Sequence, residues 1–127
     1  MAEVLMDTNF LLVPYQFKLD VFSELERLLD GPFTLVVPSC VVRELRGIAK
    51  RAGGTGAAAR FALKLLESRG EKAKTVESGL AVDDWLFEYA KANRAVVCTS
   101  DSGLKRRLKA ERLRVVGLRG KSKVGFV

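Results

Sequence analysis

Short apolar runs, each separated from the next by a segment of helical periodicity, restrict this chain to few architectures. Val4-Leu5-Met6, Thr34-Leu35-Val36-Val37 and Ala95-Val96-Val97-Cys98 carry no charged side chain, so strands made from them are covered on both faces. Thr75-Val76 and Leu113 to Val116 add two further β-rich runs. Between them, apolar residues recur at helical spacing: Val21, Phe22, Leu25, Leu28 and Leu29 behind an Asp20 cap, then Val41, Val42, Leu45, Ile48 and Ala49. Ala58, Phe61, Ala62, Leu65 and Leu66 continue the pattern, as do Leu86, Tyr89 and Ala90 within 82–93. The basic segment from Ser102 to Ala110 predicts the last helix. Alternating strands and helices of about a dozen residues are the signature of βαβ units and a parallel sheet. The expectation is an α/β fold, a three-layer α/β/α sandwich with a mostly parallel central sheet.

With 127 residues, 48% of them apolar, the chain has the size and the core-forming content of one domain. Residues 1–127 are read as that domain, with 119–127 forming an edge strand or a mobile tail. Ala52 to Gly56 holds three glycines and predicts a flexible loop. Ser39 and Ser102 precede helical segments and are expected to cap them.

A net charge of +7, with a pI near 9.7, favours a polyanionic partner such as nucleic acid. Histidine is absent, which removes the serine-histidine triad, the usual general base and the commonest zinc ligand together. Cys40 and Cys98 sit in apolar surroundings, form neither a disulfide framework nor a zinc set, and are expected to be buried and reduced. The N-terminal apolar run is too short and too acidic for a signal peptide, and no run reaches a membrane span, so the expected location is cytoplasmic. Gln16, Asn9 and Asn93 are the only amide side chains beside 29% charged residues, a balance found in thermophilic proteins.

Carboxylates stand at the junctions of the repeating segments. Asp7 follows the first apolar run, Glu44 lies in the helix after the second, Asp83 and Asp84 open another helix, and Asp101 follows the run ending at Cys98. In a parallel α/β sheet the carboxyl ends of the strands gather at one rim, where ligands bind. Each acid also has an ordinary role: Asp7 and Asp101 as turn or cap residues, Glu44 as a solvated helical side chain, and Asp83 and Asp84 as acids favoured at a helix N-terminus. If the acids meet, their mutual repulsion calls for a cation. An all-oxygen set without imidazole or thiolate suits Mg²⁺ or Mn²⁺, ions that activate water and steady phosphoryl oxygens.

The flanks of these acids resemble those of PIN-domain ribonucleases along nearly the whole chain. Val4-Leu5-Met6-Asp7-Thr8-Asn9 resembles the first acid motif of that family and Val37-Pro38-Ser39-Cys40-Val41-Val42-Arg43-Glu44-Leu45 the second. Val82-Asp83-Asp84-Trp85-Leu86 resembles the third, and the segment from Val97 through Thr99-Ser100-Asp101 to Leu108 the fourth. The resemblance is nearest to archaeal VapC-like proteins and to PIN nucleases of small-subunit ribosomal RNA maturation.

The resemblance implies a metal-dependent endoribonuclease in which Asp7, Glu44, Asp84 and Asp101 surround one or two Mg²⁺ or Mn²⁺ ions. Asp84 directly precedes the apolar pair Trp85-Leu86, as the family acid does, and Asp83 is its rival. Thr8, Asn9, Thr99 and Ser100 would orient carboxylates or water, with Ser100 standing where the family often has asparagine. Lys105, Arg106, Arg107 and Lys109 on one helix, and Arg46, Lys50 and Arg51 on another, would hold RNA phosphates. The implied partners are RNA together with an acidic antitoxin or a pre-ribosomal particle, and a homodimer; no membrane partner is expected. A catalytically inactive RNA-binding scaffold is the alternative. Aspartyl-phosphate domains fit less well, because Thr8-Asn9 follows the first acid where a second aspartate would be needed.

Overall fold

The structure is a computed structural model that describes residues 1–79 and 81–127. Six strands form one sheet: β1 (Ala2–Met6), β2 (Phe33–Pro38), β3 (Ala73–Val76), β4 (Val96–Cys98), β5 (Val115–Arg119) and β6 (Lys123–Phe126). Their order is β3-β2-β1-β4-β5-β6, parallel throughout except for the antiparallel pair β5 and β6. The C-terminal segment is therefore an edge strand, and Val124 N–H reaches Glu24 Oε1 at 3.4 Å.

Among the described residues seven α-helices and a short 3-10 turn (Gly70–Lys72) connect the strands. The first crossover holds two short helical turns, α1 (Thr8–Leu11) and α2 (Val13–Phe17), followed by α3 (Val21–Leu28). The second holds α4 (Ser39–Ala49) and α5 (Gly53–Ser68); α6 (Val82–Asn93) links β3 to β4, and α7 (Ser102–Ala110) links β4 to β5. Asp20 caps α3 through Ser23 N–H, as its sequence position suggests. Among the described residues no helix is long and apolar enough to cross a membrane.

The uninterrupted apolar runs are explained by two cores, one on each face of the sheet. Val4, Met6, Leu35, Val37, Val96, Cys98 and Val116 point into a core closed by α1 to α5. Leu5, Val36, Val97 and Val115 point the other way, against Leu86 and Ala90 of α6 and Leu104 and Leu108 of α7. Strand alternation sends neighbours to opposite faces, so a strand buried on both sides must be apolar at every position. Each fully buried Leu, Val or Phe contributes about 1.5–3 kcal/mol.

Two local expectations are corrected. The three glycines of the 52–56 segment form no flexible loop, because α5 starts at Gly53. Gly53 (φ +84°) makes the turn, and Gly56 is buried where a Cβ would stand 1.9 Å from the Arg51 carbonyl oxygen. The glycines thus let two consecutive helices pack backbone to backbone. Nor do Ser39 and Ser102 cap their helices. Asp101 caps α7, and α4 begins after Pro38 with no side-chain cap. Ser39 is the first residue of α4, and its hydroxyl accepts Ser78 N–H at 3.0 Å, tying the end of β2 to the segment after β3.

Candidate active site

The strand order places β1 between β2 and β4, so the chain builds outward from β1 on one side through β2 and β3 and then returns to build the other side through β4 and β5. A crevice opens at such a point beyond the carboxyl ends of the strands. Asp7 follows β1 there, its N–H bonded to the Cys98 carbonyl at 3.2 Å. Thr99 and Asp101 follow β4 on the other side of the crevice.

Both aspartates are fixed by capping. Asp7 Oδ1 accepts Phe10 N–H at 2.7 Å, and Asp101 Oδ2 accepts Leu104 N–H at 2.6 Å. Their ordinary role as caps and a role at the crevice are therefore compatible: the cap bond sets the rotamer and leaves further lone pairs on each carboxylate. Thr99, 1% exposed, joins the two acids. Its hydroxyl donates to Asp7 Oδ2 and accepts Asp101 N–H at 3.0 Å. Thr8, the residue after Asp7, donates its hydroxyl to Glu44 Oε1 at 2.5 Å. Thr8 and Thr99 thus orient three of the acids.

A cleft of about 610 Å³ opens over these groups. Asp7, Glu44, Asp83 and Asp101 line it, with Thr8, Asn9, Gly47, Ile48, Val82 and Arg51. Three of the four acids named from the sequence, Asp7, Glu44 and Asp101, are brought together. The fourth acid at the cleft is Asp83, whereas Asp84 turns outward to an ion pair with Arg107 at 3.0 Å. Helical phase explains the division. Asp83 lies three residues before Leu86 and seven before Ala90, the buried residues of α6, so it shares their face. Asp84 shares the outer face with Glu88 and Lys91, both exposed.

The acids act on one another electrostatically. Burial raises the Asp7 carboxyl above its ordinary 3.8; the Thr99 and Phe10 hydrogen bonds oppose that rise, and the charges of Asp83 and Asp101 add to it. Asp83 is raised as well, first by desolvation and then by Asp101, with Arg107 opposing and Asp84 and Glu44 adding smaller contributions. A cleft that holds carboxylates above their usual range has a built-in affinity for a cation or a proton. Among the described residues no three carboxylates or thiols stand close enough to form a ready-made ligand cage. The acids line an open cleft.

The other sequence expectations divide sharply. Asn9 lines the cleft, while Ser100 is exposed outside it. None of Lys105, Arg106, Arg107 and Lys109 lines it; Arg107 is taken by Asp84 and lies 4.4 Å over the Phe87 ring. Of Arg46, Lys50 and Arg51 only Arg51 does. Arg51 follows the C-terminal end of α4 and lines the cleft with Glu44, whereas Arg46, within α4 and two residues after Glu44, faces a separate hollow beside Leu63 and Glu67. Cys40 and Cys98 are free and buried, as expected, and burial pushes the Cys98 thiol far up. A second hollow, about 480 Å³ and apolar, lies beside Tyr15, Phe22 and Phe61 and holds none of the four cleft acids.

Known proteins share the sequence and the fold over most of the chain. The chain is 29% identical over 123 residues to Ribonuclease VapC4 of Methanocaldococcus jannaschii, covering 95% of this chain and 93% of that protein. It is 35% identical over 105 residues to Ribonuclease VapC9 of Archaeoglobus fulgidus, covering 82% and 73%. The fold superimposes on the PIN domain endonuclease Utp24 with a TM-score of 0.79 at 23% identity, over 98% of this chain and 90% of that one. A domain of a functionally unknown protein from Methanocaldococcus jannaschii superimposes with a TM-score of 0.64 at 21% identity, covering 94% and 93%. Residues 4–121 match the family described as PIN like domain, and with its sheet order and acid-lined switch crevice the chain belongs to that family.

Proposed function

We propose that the cleft is the active site of a divalent-metal-dependent endoribonuclease, with Asp7, Glu44, Asp83 and Asp101 holding Mg²⁺ or Mn²⁺. The observation that carries the proposal is the convergence of four carboxylates from separate segments on one cleft, with the Asp7 carboxyl raised first by its burial and further by Asp83 and Asp101. The donors are hard oxygens, and no histidine or thiolate lines the cleft, which fits these ions rather than zinc. A bound ion of this class supplies an activated water and neutralises charge on the phosphoryl oxygens. Two relatives named as ribonucleases, and the net positive charge, support RNA as the substrate.

In the reaction water adds to phosphorus and one P–O ester bond breaks, leaving a phosphate monoester and a free hydroxyl. The chain's part is positional. The Phe10 and Leu104 amides fix the Asp7 and Asp101 carboxylates, Thr99 spans the two, and Thr8 holds Glu44. Ile48 and Val82 give the cleft an apolar margin that limits water around the reacting phosphate. Asp84 sits outside as the partner of Arg107. As a toxin the nuclease would pair with an acidic antitoxin, and as a processing enzyme it would act in a pre-ribosomal particle; both settings present a polyanion to a basic protein.

The test is cleavage of a structured ribosomal RNA fragment with Mg²⁺ or Mn²⁺ by wild type, Asp83→Asn and Asp84→Asn. Loss of one charged ligand should lower kcat by at least about 100-fold, beyond the 10- to 100-fold typical of outer groups around a metal. Asp83→Asn should show that loss, and Asp84→Asn should remain within a few-fold of wild type. Equal loss in both variants would remove the assignment of Asp83. RNA binding without cleavage by wild type would favour the inactive scaffold.

A further inference from the structure

Among the described residues Arg51 is the single cationic side chain lining a cleft that carries four carboxylates. A guanidinium in that company ordinarily pairs with one of them. Arg51 does not: among the described residues the ion pairs are Arg27 with Glu24, Lys91 with Glu111 and Arg107 with Asp84. Its side chain makes no hydrogen bond there either, so its donors are free.

The backbone beneath this unpaired side chain is held in several ways. Arg51 N–H donates to the Ile48 carbonyl at 2.9 Å, continuing α4 by a tight last turn. Arg60, from the second turn of α5, donates Nη1 to the Ala49 carbonyl at 2.7 Å and to the Arg51 carbonyl at 3.2 Å. Gly56 provides the room in which α5 meets that same carbonyl. The corner between α4 and α5 is therefore anchored at the residue whose side chain faces the cleft. Gly47, which lines the cleft with Glu44 and Arg51, has nothing within 4 Å of where a Cβ would be, so the cleft wall there is open.

We propose that Arg51 binds a phosphodiester of the RNA strand as it enters the cleft. This rests on the reading of the cleft as a ribonuclease site. A planar fork of N–H donors matches two non-bridging phosphate oxygens, and its positive charge opposes the repulsion between RNA and the acids. Arg51 stands two residues beyond the C-terminal end of α4 and lines the same cleft as Glu44. It therefore meets the strand beside the carboxylates without competing for them.

The test uses the full chain as wild type, Arg51→Gln, Arg51→Lys and Lys64→Gln, the last a charge-matched control on the exposed side of α5. Binding of a fluorescein-labelled single-stranded RNA is followed by anisotropy in EDTA at several KCl concentrations, and cleavage is followed separately with Mn²⁺. Arg51→Gln should weaken binding about 10-fold and lower the slope of log affinity against log salt by about 0.7, the value for one phosphate contact on a single strand. Arg51→Lys should recover the slope but not the full affinity, since an ammonium lacks the fork. Lys64→Gln should remain within about two-fold of wild type in affinity and lower the slope by less than Arg51→Gln does. Arg51→Gln indistinguishable from Lys64→Gln in both affinity and slope would overturn the proposal. A wild type that binds RNA but cleaves none would overturn the nuclease reading while the binding measurements still decide on Arg51. A wild type that binds no RNA would overturn both.

Discussion

Replacing Asp7 with asparagine is expected to stabilise the metal-free protein and abolish its response to divalent ions. Asp7 is 7% exposed, and its charge is opposed by burial and by Asp83 and Asp101. Withdrawing a carboxylate from water costs several kcal/mol even after relaxation. Hydrogen bonds to charged groups offset about 1.5–3 kcal/mol each, and Asp7 accepts two. Asparagine preserves the geometry: its oxygen accepts Phe10 N–H, and its amide donates to Thr99 Oγ1, which already accepts Asp101 N–H. The contact with Phe10 persists in neutral form and that with Thr99 is reversed, freeing the Thr99 hydroxyl proton; the fall in desolvation penalty outweighs that loss, a net gain on the order of 1 kcal/mol. For a chain of this size that is about 3–5 °C in Tm.

The sign with pH follows from the raised carboxyl. The folded protein holds the Asp7 proton at a pH where the unfolded chain has released it, so the contribution is full below the ordinary 3.8 and is lost as pH rises through the higher folded value. The advantage of Asp7→Asn is therefore present at pH 7 and fades toward 3.8. Metal reverses the comparison, since an ion at 100 times its Kd stabilises wild type by about 2.7 kcal/mol, roughly 10 °C here. Far-UV circular dichroism melts in EDTA and in saturating Mn²⁺ measure both effects. A lower Tm for Asp7→Asn in EDTA at pH 7 would refute the electrostatic argument, and equal metal shifts in the two proteins would refute ligation by Asp7.

Three further outcomes are expected. Thr99→Val leaves Asp7 Oδ2 and Asp101 N–H without their shared partner, and should cost about 1–3 kcal/mol in denaturant unfolding and about 10- to 100-fold in RNA cleavage. Gly54→Ala, with open space around its Cβ, should gain up to about 1 kcal/mol as an ordinary helical substitution, whereas Gly56→Ala should lose about 1–3 kcal/mol because its methyl collides with the Arg51 carbonyl; urea titrations of the two read opposite signs. Asp84→Asn, which breaks only an exposed ion pair, should change stability by less than about 1 kcal/mol in the same titration.

Much of the fold was legible because its determinants are local. The charge-free runs at Val4, Leu35 and Ala95 mark strands buried on both sides, and α6 and α7 have the limits their periodicity predicts. The segment containing Gly53, Gly54 and Gly56 was misleading because glycine signals both mobility and close approach. Only the packing of α5 on the Arg51 carbonyl distinguishes the two. Asp83 and Asp84 are adjacent in the first turn of α6, and their adjacency to Trp85-Leu86 does not divide them; the phase of α6 against the buried Leu86 and Ala90 does so only once that face is packed.

By itself the sequence determined the α/β class, the resemblance to PIN-domain ribonucleases and the segments that carry acids, since these depend on periodicity and on residues close together in the chain. Tertiary structure alone decided which acids share a cleft, because it brings the ends of β1 and β4 together and fixes the rotation of α4 and α6 about their axes. One residue of rotation turns a helical side chain by about 100°. That step separates Asp83 in the cleft from Asp84 on the outer surface.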